Sequence, residues 1–353
     1  DDPYSIPTGN SFFQALGALG TTVVVSSGDT GSYFSLGDTI QSCEQFMPSW
    51  PATSPYVLAA GATQKGSMQG EVRHLPASIA YGAGITTGGG FSDYNAQPSW
   101  QRSAVQGYLS KATLPQTIPF NRTGRAYPDV VLYGHSFLIV LGGQPQPVDG
   151  TSASAPALSG MLSLMNDGLK RLGAPYLGFI NPTLYQMATE KPDAFIDVTM
   201  GDNKCMGQSA SATCCDEGYE AAAGWDPVSG LGSVVFSKAF PYIASSLLGG
   251  TAVADFPSTP ADCTVAKTAC SHSCSGTCDA QGTCSGGSSS SGSADGSGSQ
   301  AGSGANWPVS YYIIAGAGVA VLLLVCAVVG YRLGKKSAPP QDTIGASYQK
   351  LST

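Results

Sequence analysis

The sequence predicts an α/β domain built on a mostly parallel sheet. Apolar runs that end near glycine, at residues 21–25 and 56–60, are typical of buried parallel strands. Residues 153–172 instead repeat alanine, leucine and methionine at helical spacing, which indicates a buried helix. Strands that alternate with helices favour this fold class over an all-helical or all-strand domain.

The elements follow in order along residues 1–248, which we interpret as one globular domain. A Phe/Leu/Ala-rich segment, residues 11–19, precedes the first strand, and the second strand follows at residues 56–60. Residues 137–140 are a third candidate strand, and the predicted helix of residues 153–172 comes after it. The domain is therefore expected to carry flanking helices on a parallel sheet.

The charge of the chain excludes a nucleic-acid-binding protein. Only 11% of the 353 residues are charged and the formal net charge is -7. Residues 1–308 carry 12 basic and 22 acidic side chains, and the basic ones are scattered. A basic stripe, which phosphate binding requires, is therefore missing. An acidic, charge-poor domain instead suits an acidic compartment, because its self-repulsion falls as its carboxylates are protonated.

Residues 249–284 are predicted to form a small disulfide module. Five cysteines within this segment favour disulfides over zinc, because the spacing contains no paired Cys-x-x-Cys motif. An odd cysteine is then left to pair with another chain or with a cysteine of the first domain. The module contains Cys263, Cys270, Cys274, Cys278 and Cys284, and the domain contains Cys43, Cys205, Cys214 and Cys215.

The C-terminal part predicts a single-pass type I membrane anchor. A Ser/Gly spacer at residues 285–308 leads to 23 uncharged residues at 309–331, long enough to cross a bilayer. Basic residues follow at once, which places the tail of residues 332–353 in the cytosol. Residues 1–308 are then lumenal or extracellular, where the sequon at Asn121 is open to glycosylation.

The cytosolic tail ends in a pattern that resembles a sorting signal. Tyr348 and Leu351 frame a Tyr-x-x-hydrophobic motif of the kind that clathrin adaptors bind. We therefore expect a lysosome-like or vacuole-like acidic compartment, or the cell surface.

Two Gly/Ser motifs carry the candidate chemistry. Asp29 lies in Ser-Ser-Gly-Asp-Thr-Gly directly after the first strand, where open α/β sheets place their active sites. The alternative is an aspartate that only caps a turn or a helix. Ser152 lies in Gly-Thr-Ser-Ala-Ser-Ala-Pro at the start of the predicted helix. It is either an N-cap or a nucleophile, whose developing charge a helix N-terminus stabilises.

These two motifs, with five others in the same order, resemble the sedolisin (serine-carboxyl) peptidases. The resemblance implies a subtilisin-like fold and a peptidase that acts at acidic pH and releases tripeptides from free N-termini. It implies that Ser152 is the nucleophile, and that Asp29 donates a hydrogen bond in the oxyanion hole when protonated. The other matching motifs are residues 46–57, 88–92, 124–130, 177–182 and 224–228.

The same resemblance implies a calcium site near the end of the domain. Side-chain and backbone oxygens of this kind suit Ca²⁺, although the alternative is a set of ordinary turn residues. One position differs, since the family usually has glycine where this chain has Ala222. A ligand that uses its backbone carbonyl tolerates that change. The matching positions are the side chains of Asp197 and Asp226 and the carbonyls of Val198, Ala222 and Gly224.

One departure from the family concerns the catalytic base. The resemblance implies a Glu oriented by an Asp, on a helix upstream of Asp29, but no Glu precedes Glu44. We therefore expect the chain to be N-terminally incomplete and inactive alone. The alternative is a catalytically inactive ectodomain that binds peptides or a partner.

The remaining candidates for a base do not fit the expected pattern. Glu190 and Asp193 follow Ser152 and are predicted on a surface turn. His74 and His135 lack the His-Gly-Thr context of a subtilisin-like base, so neither is expected to activate Ser152.

Overall fold

A computed structural model describes residues 5–36, 40–68, 71–206, 212–253, 277–278 and 284–285. Contacts divide the chain into two units, Asp1–Ile313 and Ile314–Thr353, of which only the first contains described residues. The predicted spacer, membrane anchor and sorting signal lie outside the described residues, as does most of the cysteine-rich segment. Within the described ranges, no helix has the length and apolar character needed to span a bilayer.

The described residues form five α-helices and sixteen strands. The helices are α1 (Ser5–Ala18), α2 (Arg102–Leu109), α3 (Thr151–Arg171), α4 (Asn181–Glu190) and α5 (Phe236–Leu247). The strands of the first half are β1 (Val24–Ser26), β2 (Tyr33–Leu36), β3 (Ile40–Phe46), β4 (Leu58–Met68), β5 (Glu71–Pro76), β6 (Gly90–Ala96), β7 (Gly124–Tyr127) and β8 (Val130–Tyr133). Those of the second half are β9 (Phe137–Leu141), β10 (Gln144–Val148), β11 (Phe195–Ile196), β12 (Cys205–Met206), β13 (Thr213–Cys214), β14 (Ser233–Val234), β15 (Thr277–Cys278) and β16 (Cys284–Ser285).

A mixed, mostly parallel sheet forms the centre of the domain. Its strand order is β1-β4-β8-β14-β11, and β5 pairs with β4 beside this path. The pairings β1 with β4, β4 with β8 and β8 with β14 are parallel, whereas β5 and β11 run antiparallel to their neighbours. The predicted α/β class with a mostly parallel sheet is confirmed. The strands predicted at residues 21–25 and 56–60 correspond to β1 and β4.

The third predicted strand exists as β9, but it lies outside the central sheet. It pairs antiparallel with β10 around Gly142 and Gly143, whose positive φ angles of 60° and 79° suit a tight hairpin turn. Leu138 and Val140 are 70% and 75% exposed. The apolar run therefore predicted a strand but not its exposed position. The strand next to β4 in the central sheet is β8, which directly precedes β9 in the chain.

Helix α3 packs its apolar stripe into the core against β1, β4 and β8. It begins at Thr151, two residues before the predicted start. Ser154 Oγ donates to the carbonyl of Gly61 at 2.5 Å and accepts the N–H of Leu132 at 3.1 Å. Since Gly61 belongs to β4 and Leu132 to β8, this serine holds the first turn of α3 against the sheet.

Two disulfides connect the cysteines of the domain. Cys43 pairs with Cys215, and Cys205 pairs with Cys214 across β12 and β13. All four domain cysteines are thereby used. The option that one of them pairs with the odd cysteine of the C-terminal segment is therefore wrong.

A buried ion pair lies under the turn between β7 and β8. The Arg125 guanidinium donates to Asp129 Oδ2 at 2.6 Å, and both side chains are fully buried. Asp129 Oδ2 also accepts from the N–H of Ala59 at 2.7 Å, and its Oδ1 accepts from Tyr185 Oη at 3.0 Å. The carboxylate therefore connects the turn to both β4 and α4.

Candidate active site

Asp29 lies in a tight turn just beyond the carboxyl end of β1. Gly28 has a φ of 109°, which L residues with a side chain rarely adopt, so glycine is required there. The turn is held by neighbouring backbone, since Gly88 donates to the carbonyl of Gly28 at 2.7 Å and Thr86 to that of Asp29 at 3.1 Å. The carboxylate is consequently presented at one end of the sheet.

Ser152 is exposed in the first turn of α3. The helix begins at Thr151, and the residue at the N-cap position is Gly150, which makes no side-chain capping bond. Ser152 is therefore not an N-cap, and this alternative is wrong. Its hydroxyl projects at the N-terminal end of a 21-residue helix, where unpaired N–H groups favour negative charge.

The fold brings Asp29 and the start of α3 together across 122 residues of sequence. Asp29 Oδ1 accepts the N–H of Thr151 at 2.8 Å and its hydroxyl at 2.7 Å. Asp29 therefore does cap a helix, but that helix is distant in sequence and carries Ser152.

The Ser152 hydroxyl and the Asp29 carboxylate both lie close to Gly150. A Cβ at Gly150 would lie 2.7 Å from Ser152 Oγ and 3.5 Å from Asp29 Oδ2. In the described part of the chain, Asp29 Oδ2 makes no hydrogen bond, whereas Oδ1 is occupied as an acceptor. A proton on Oδ2 can then be donated to an oxygen that becomes negative as Ser152 attacks a carbonyl.

No side chain in the described ranges serves Ser152 as a base. Neither a Glu nor a His of these residues hydrogen-bonds to Ser152 Oγ. His74 Nε2 lies 2.8 Å from Thr63 Oγ1, and Glu190 accepts from Tyr242 Oη at 2.7 Å. Asp193 is exposed and lies 3.0 Å from Lys238 Nζ. These groups have other hydrogen-bond or ion-pair partners, in agreement with the prediction that none of them is the base for Ser152.

Asp149 supports the turn that carries Ser152, a function that sequence reasoning missed. Its carboxylate accepts the N–H groups of Gly84 and, at 2.5 Å, of Ser136, and it lies 2.8 Å from His135 Nδ1. Burial alone would raise the pKa of Asp149, but these hydrogen bonds hold it below its usual value. In the sequence, only the position of Asp149 directly before Gly150 indicated this function.

The five predicted calcium ligands converge on one loop region. Asp226 is fully buried, and its carboxylate accepts the N–H groups of Ala222 at 3.0 Å and Val228 at 2.9 Å. Asp197 accepts the N–H of Gly224 at 2.8 Å. Ser229 Oγ lies 3.3 Å from the carbonyl oxygen of Val198 and 3.2 Å from Asp226 Oδ1, and so connects the two segments.

The chemistry of this region fits a hard cation. Burial raises the pKa of Asp226 to about 7 and also raises that of Asp197. Across the described residues, neither carboxylate forms an ion pair with a basic side chain. Nor do these residues contain a group of three His, Cys, Asp or Glu side chains suited to a metal. Two uncompensated carboxylates with several carbonyls are the donor set that Ca²⁺ prefers.

Asn121 is half-buried and lies three residues before the start of β7. Its Nδ2 donates to the carbonyl of Ser92 at 3.0 Å, and its Oδ1 accepts from Thr123 Oγ1 at 2.8 Å. The sequon therefore takes part in local hydrogen bonding, and glycosylation at this position stays a prediction.

Comparison with known proteins agrees with this geometry. Residues 8–177 match the model of the subtilase family. The chain is 39% identical to physarolisin of Physarum polycephalum over 259 residues, which cover 66% of this chain and 44% of that protein. It is 38% identical to tripeptidyl-peptidase 1 of Canis lupus familiaris, with 64% and 38% of the two chains covered. The chain thus spans less than half the length of these curated relatives.

A solved structure shows the same architecture. Pseudomonas sedolisin, a serine-carboxyl proteinase complexed with two molecules of pseudo-iodotyrostatin, matches with a TM-score of 0.50 and 28% identity. The match covers 68% of this chain and 60% of that one.

Proposed function

Because the chain belongs to the sedolisin family of peptidases, we propose that its domain is a serine-type peptidase that acts at acidic pH and removes tripeptides from free N-termini. The observation that carries the proposal is the closeness of Ser152 Oγ and Asp29 Oδ2, which lie 2.7 Å and 3.5 Å from the position that a Cβ on Gly150 would occupy. Tripeptide release is supported by relatives that are named tripeptidyl-peptidase 1.

The geometry is suited to acyl transfer. Ser152 Oγ forms a bond to the substrate carbonyl carbon, and the carbonyl oxygen takes up the negative charge. Asp29, when neutral, donates a hydrogen bond to that oxygen, which requires acidic conditions. The amine then leaves with a proton, and water releases the acyl group from Ser152. The base that accepts the Ser152 proton must come from outside the described residues.

Product analysis tests this proposal. The full-length protein, incubated near pH 4 with a ten-residue peptide that has a free N-terminus, is expected to release its first three residues, detected by mass spectrometry. The matched peptide with an acetylated N-terminus should stay intact. Internal cleavage of both peptides would instead indicate an endopeptidase.

A second candidate function is an inactive, peptide-binding domain. It is favoured by one observation, namely that the described residues place no base beside Ser152. In that case neither peptide would be cleaved at any pH, whereas either would still bind, as measured by calorimetry.

We further propose that this domain binds Ca²⁺ through Asp197, Asp226 and the carbonyls of Val198, Ala222 and Gly224. The ion would compensate two carboxylates that burial otherwise makes costly to ionise. It would also join the residues after β11 to the loop before β14, and so act on stability rather than on the reaction.

Removal of calcium is therefore expected to lower the melting temperature. An ion present at about 100 times its Kd stabilises by about 2.7 kcal/mol, or roughly 5–10 °C for a domain of this size. Differential scanning calorimetry with EDTA, then with excess Ca²⁺ or Mg²⁺, measures the shift. Asp197→Asn should abolish the Ca²⁺-dependent part, and Asp167→Asn, an exposed control on α3, should not. An equal shift in both variants would contradict the site.

Its cellular location is proposed from the segments outside the described residues. Residues 309–331 would anchor the protein in a membrane, and Tyr348 and Leu351 would bind a clathrin adaptor. This combination would deliver the domain, glycosylated at Asn121, to a lysosome-like compartment, whose acidity suits the need for a neutral Asp29.

A further inference from the structure

A small cavity opens beside the candidate active site. Its volume is about 230 Å³, and it is lined by Met47, Pro48, Asp93 and Tyr94. Two separate segments form its walls, the residues that follow β3 and the middle of β6. None of these four side chains takes part in the proposed acyl transfer or in the proposed calcium site.

One wall of the cavity lies next to the turn that presents Asp29. Ser49, the residue after Pro48, lies within 3.7 Å of the position that a Cβ on Gly28 would occupy. The strand that forms the other wall is connected to the same turn through the residues before it, because Gly88 donates to the carbonyl of Gly28. The wall that contains Pro48 therefore neighbours the backbone of the proposed oxyanion hole.

Asp93 is held in place by a fixed turn. Ser92 is buried, and its Oγ accepts the N–H groups of Tyr94 at 3.2 Å and Asn95 at 2.8 Å. Asn95 points inward and donates to the carbonyl of Thr53 at 3.0 Å. This arrangement leaves Asp93 and Tyr94 exposed at the rim of the cavity.

The charge of Asp93 acts on a group that is hydrogen-bonded to Ser49, the residue after Pro48. The N–H of Ser49 donates to Tyr127 Oη at 2.8 Å. Burial raises the pKa of Tyr127, and the negative charge of Asp93 raises it further. The carboxylate is therefore within electrostatic range of a group that contacts Ser49.

Among the described residues, no basic side chain compensates the Asp93 carboxylate. Neighbouring groups remove enough water to raise its pKa above the usual value. Within the described part of the chain, no Lys, Arg or His lies within ion-pair distance of it. The Met47 and Tyr94 side chains supply apolar and aromatic surface next to this charge.

We propose that this cavity is a specificity pocket for a basic side chain, that of the residue whose carbonyl Ser152 attacks. The inference rests on the proposed peptidase function. An ammonium or guanidinium group pairs with Asp93, and its methylene stem packs on Met47 and the Tyr94 ring. The free N-terminus of a tripeptide is a poorer match, because it lies two residues, or about 7 Å, further along an extended chain.

Paired substrates test the proposal in the full-length protein. The peptides Ala-Ala-Lys and Ala-Ala-norleucine, each coupled to a fluorogenic amine, differ mainly in the ammonium group. We expect kcat/KM to favour lysine by about 10- to 100-fold, the range of a hydrogen bond to a charged group. Asp93→Asn should reduce this ratio to about 1, while Asp167→Asn, whose carboxylate is exposed on α3, should keep it.

Two outcomes would overturn the proposal. They are equal rates for both substrates in the wild type, and an equal loss of rate for both substrates in Asp93→Asn. The second would assign Asp93 to the substrate N-terminus, which the two peptides share.

If neither substrate is cleaved, the peptidase function fails and the pocket is tested by binding alone. Calorimetry of Ser152→Ala should then show tighter binding of Ala-Ala-Lys-amide than of its norleucine counterpart. Asp93→Asn in that background should remove the difference. Equal affinities in Ser152→Ala would overturn the pocket.

Discussion

Replacing Ser152 by alanine is expected to lower kcat for tripeptide release by about four to six orders of magnitude, the loss seen when a serine nucleophile is removed. The reason is that the other hydroxyl described at this carboxylate, that of Thr151, is buried and donates to Asp29 Oδ1, whereas Ser152 is exposed. Steady-state assays near pH 4 measure kcat, and circular dichroism establishes that the variant is folded.

Ser159→Ala provides the matched control for Ser152→Ala. Ser159 lies on the same helix and only donates to the carbonyl of Ala155. We expect its kcat to stay within about two-fold of the wild type, since a partly exposed serine away from the reaction contributes little. A Ser152→Ala variant with wild-type kcat would contradict the nucleophile assignment.

Asp29 variants separate its two functions. Asp29→Ala removes both the helix cap and the oxyanion donor, and is expected to lower kcat by about 10²- to 10³-fold. Asp29→Asn keeps an oxygen for Thr151 and places an amide N–H where Oδ2 lies. Since that N–H donates at every pH, activity in Asp29→Asn should persist at neutral pH, where the wild type loses it. Unchanged pH profiles in both variants would exclude Asp29 from the oxyanion hole.

Breaking the buried Arg125–Asp129 pair is expected to produce the largest loss of stability. Arg125→Met leaves Asp129 charged, fully buried and without its guanidinium partner. Such a change costs about 3–5 kcal/mol, which corresponds to roughly 6–20 °C in Tm for a domain of this size. Urea denaturation gives the free energy of unfolding.

The exposed pair Arg171–Asp167 supplies the matched control. It has the same two residue types and, like the buried pair, a spacing of four residues, but both side chains are about half exposed. Arg171→Met should therefore cost less than about 1 kcal/mol. Equal losses in the two variants would show that burial does not govern the contribution of Arg125.

Several features of the fold could be predicted from local patterns. The apolar stripe of residues 153–172 required a helix that packs on one face, and α3 is that helix. The strands β1 and β4 are buried apolar runs that end near glycine. Of the exposed hairpin, only the strand β9 was predicted, and its exposure was not. Hydrophobicity alone does not distinguish a buried core strand from an exposed hairpin strand.

Contacts between residues that are far apart in the chain could not be predicted from local patterns. Residues 124–130 matched a family motif, but the burial of the ion pair inside it could not be predicted. That burial depends on Ala59 and Tyr185, which hydrogen-bond to Asp129 and are far away in the chain. Similarly, Asp93 and Met47 belong to no shared motif, and they line the same cavity only because the fold brings the middle of β6 to the residues after β3.

The sequence by itself determined the α/β class and the extent of α3 to within two residues, because periodicity is a local property. The resemblance of its motifs to a known family indicated Ser152 and Asp29 as candidate site residues. Only the tertiary structure decided which oxygens meet. Asp29 reaches Thr151 across 122 residues because β1 lies next to β4 and α3 packs across both strands. Sheet order is set by the burial of the whole core, and that information is not contained in any single segment.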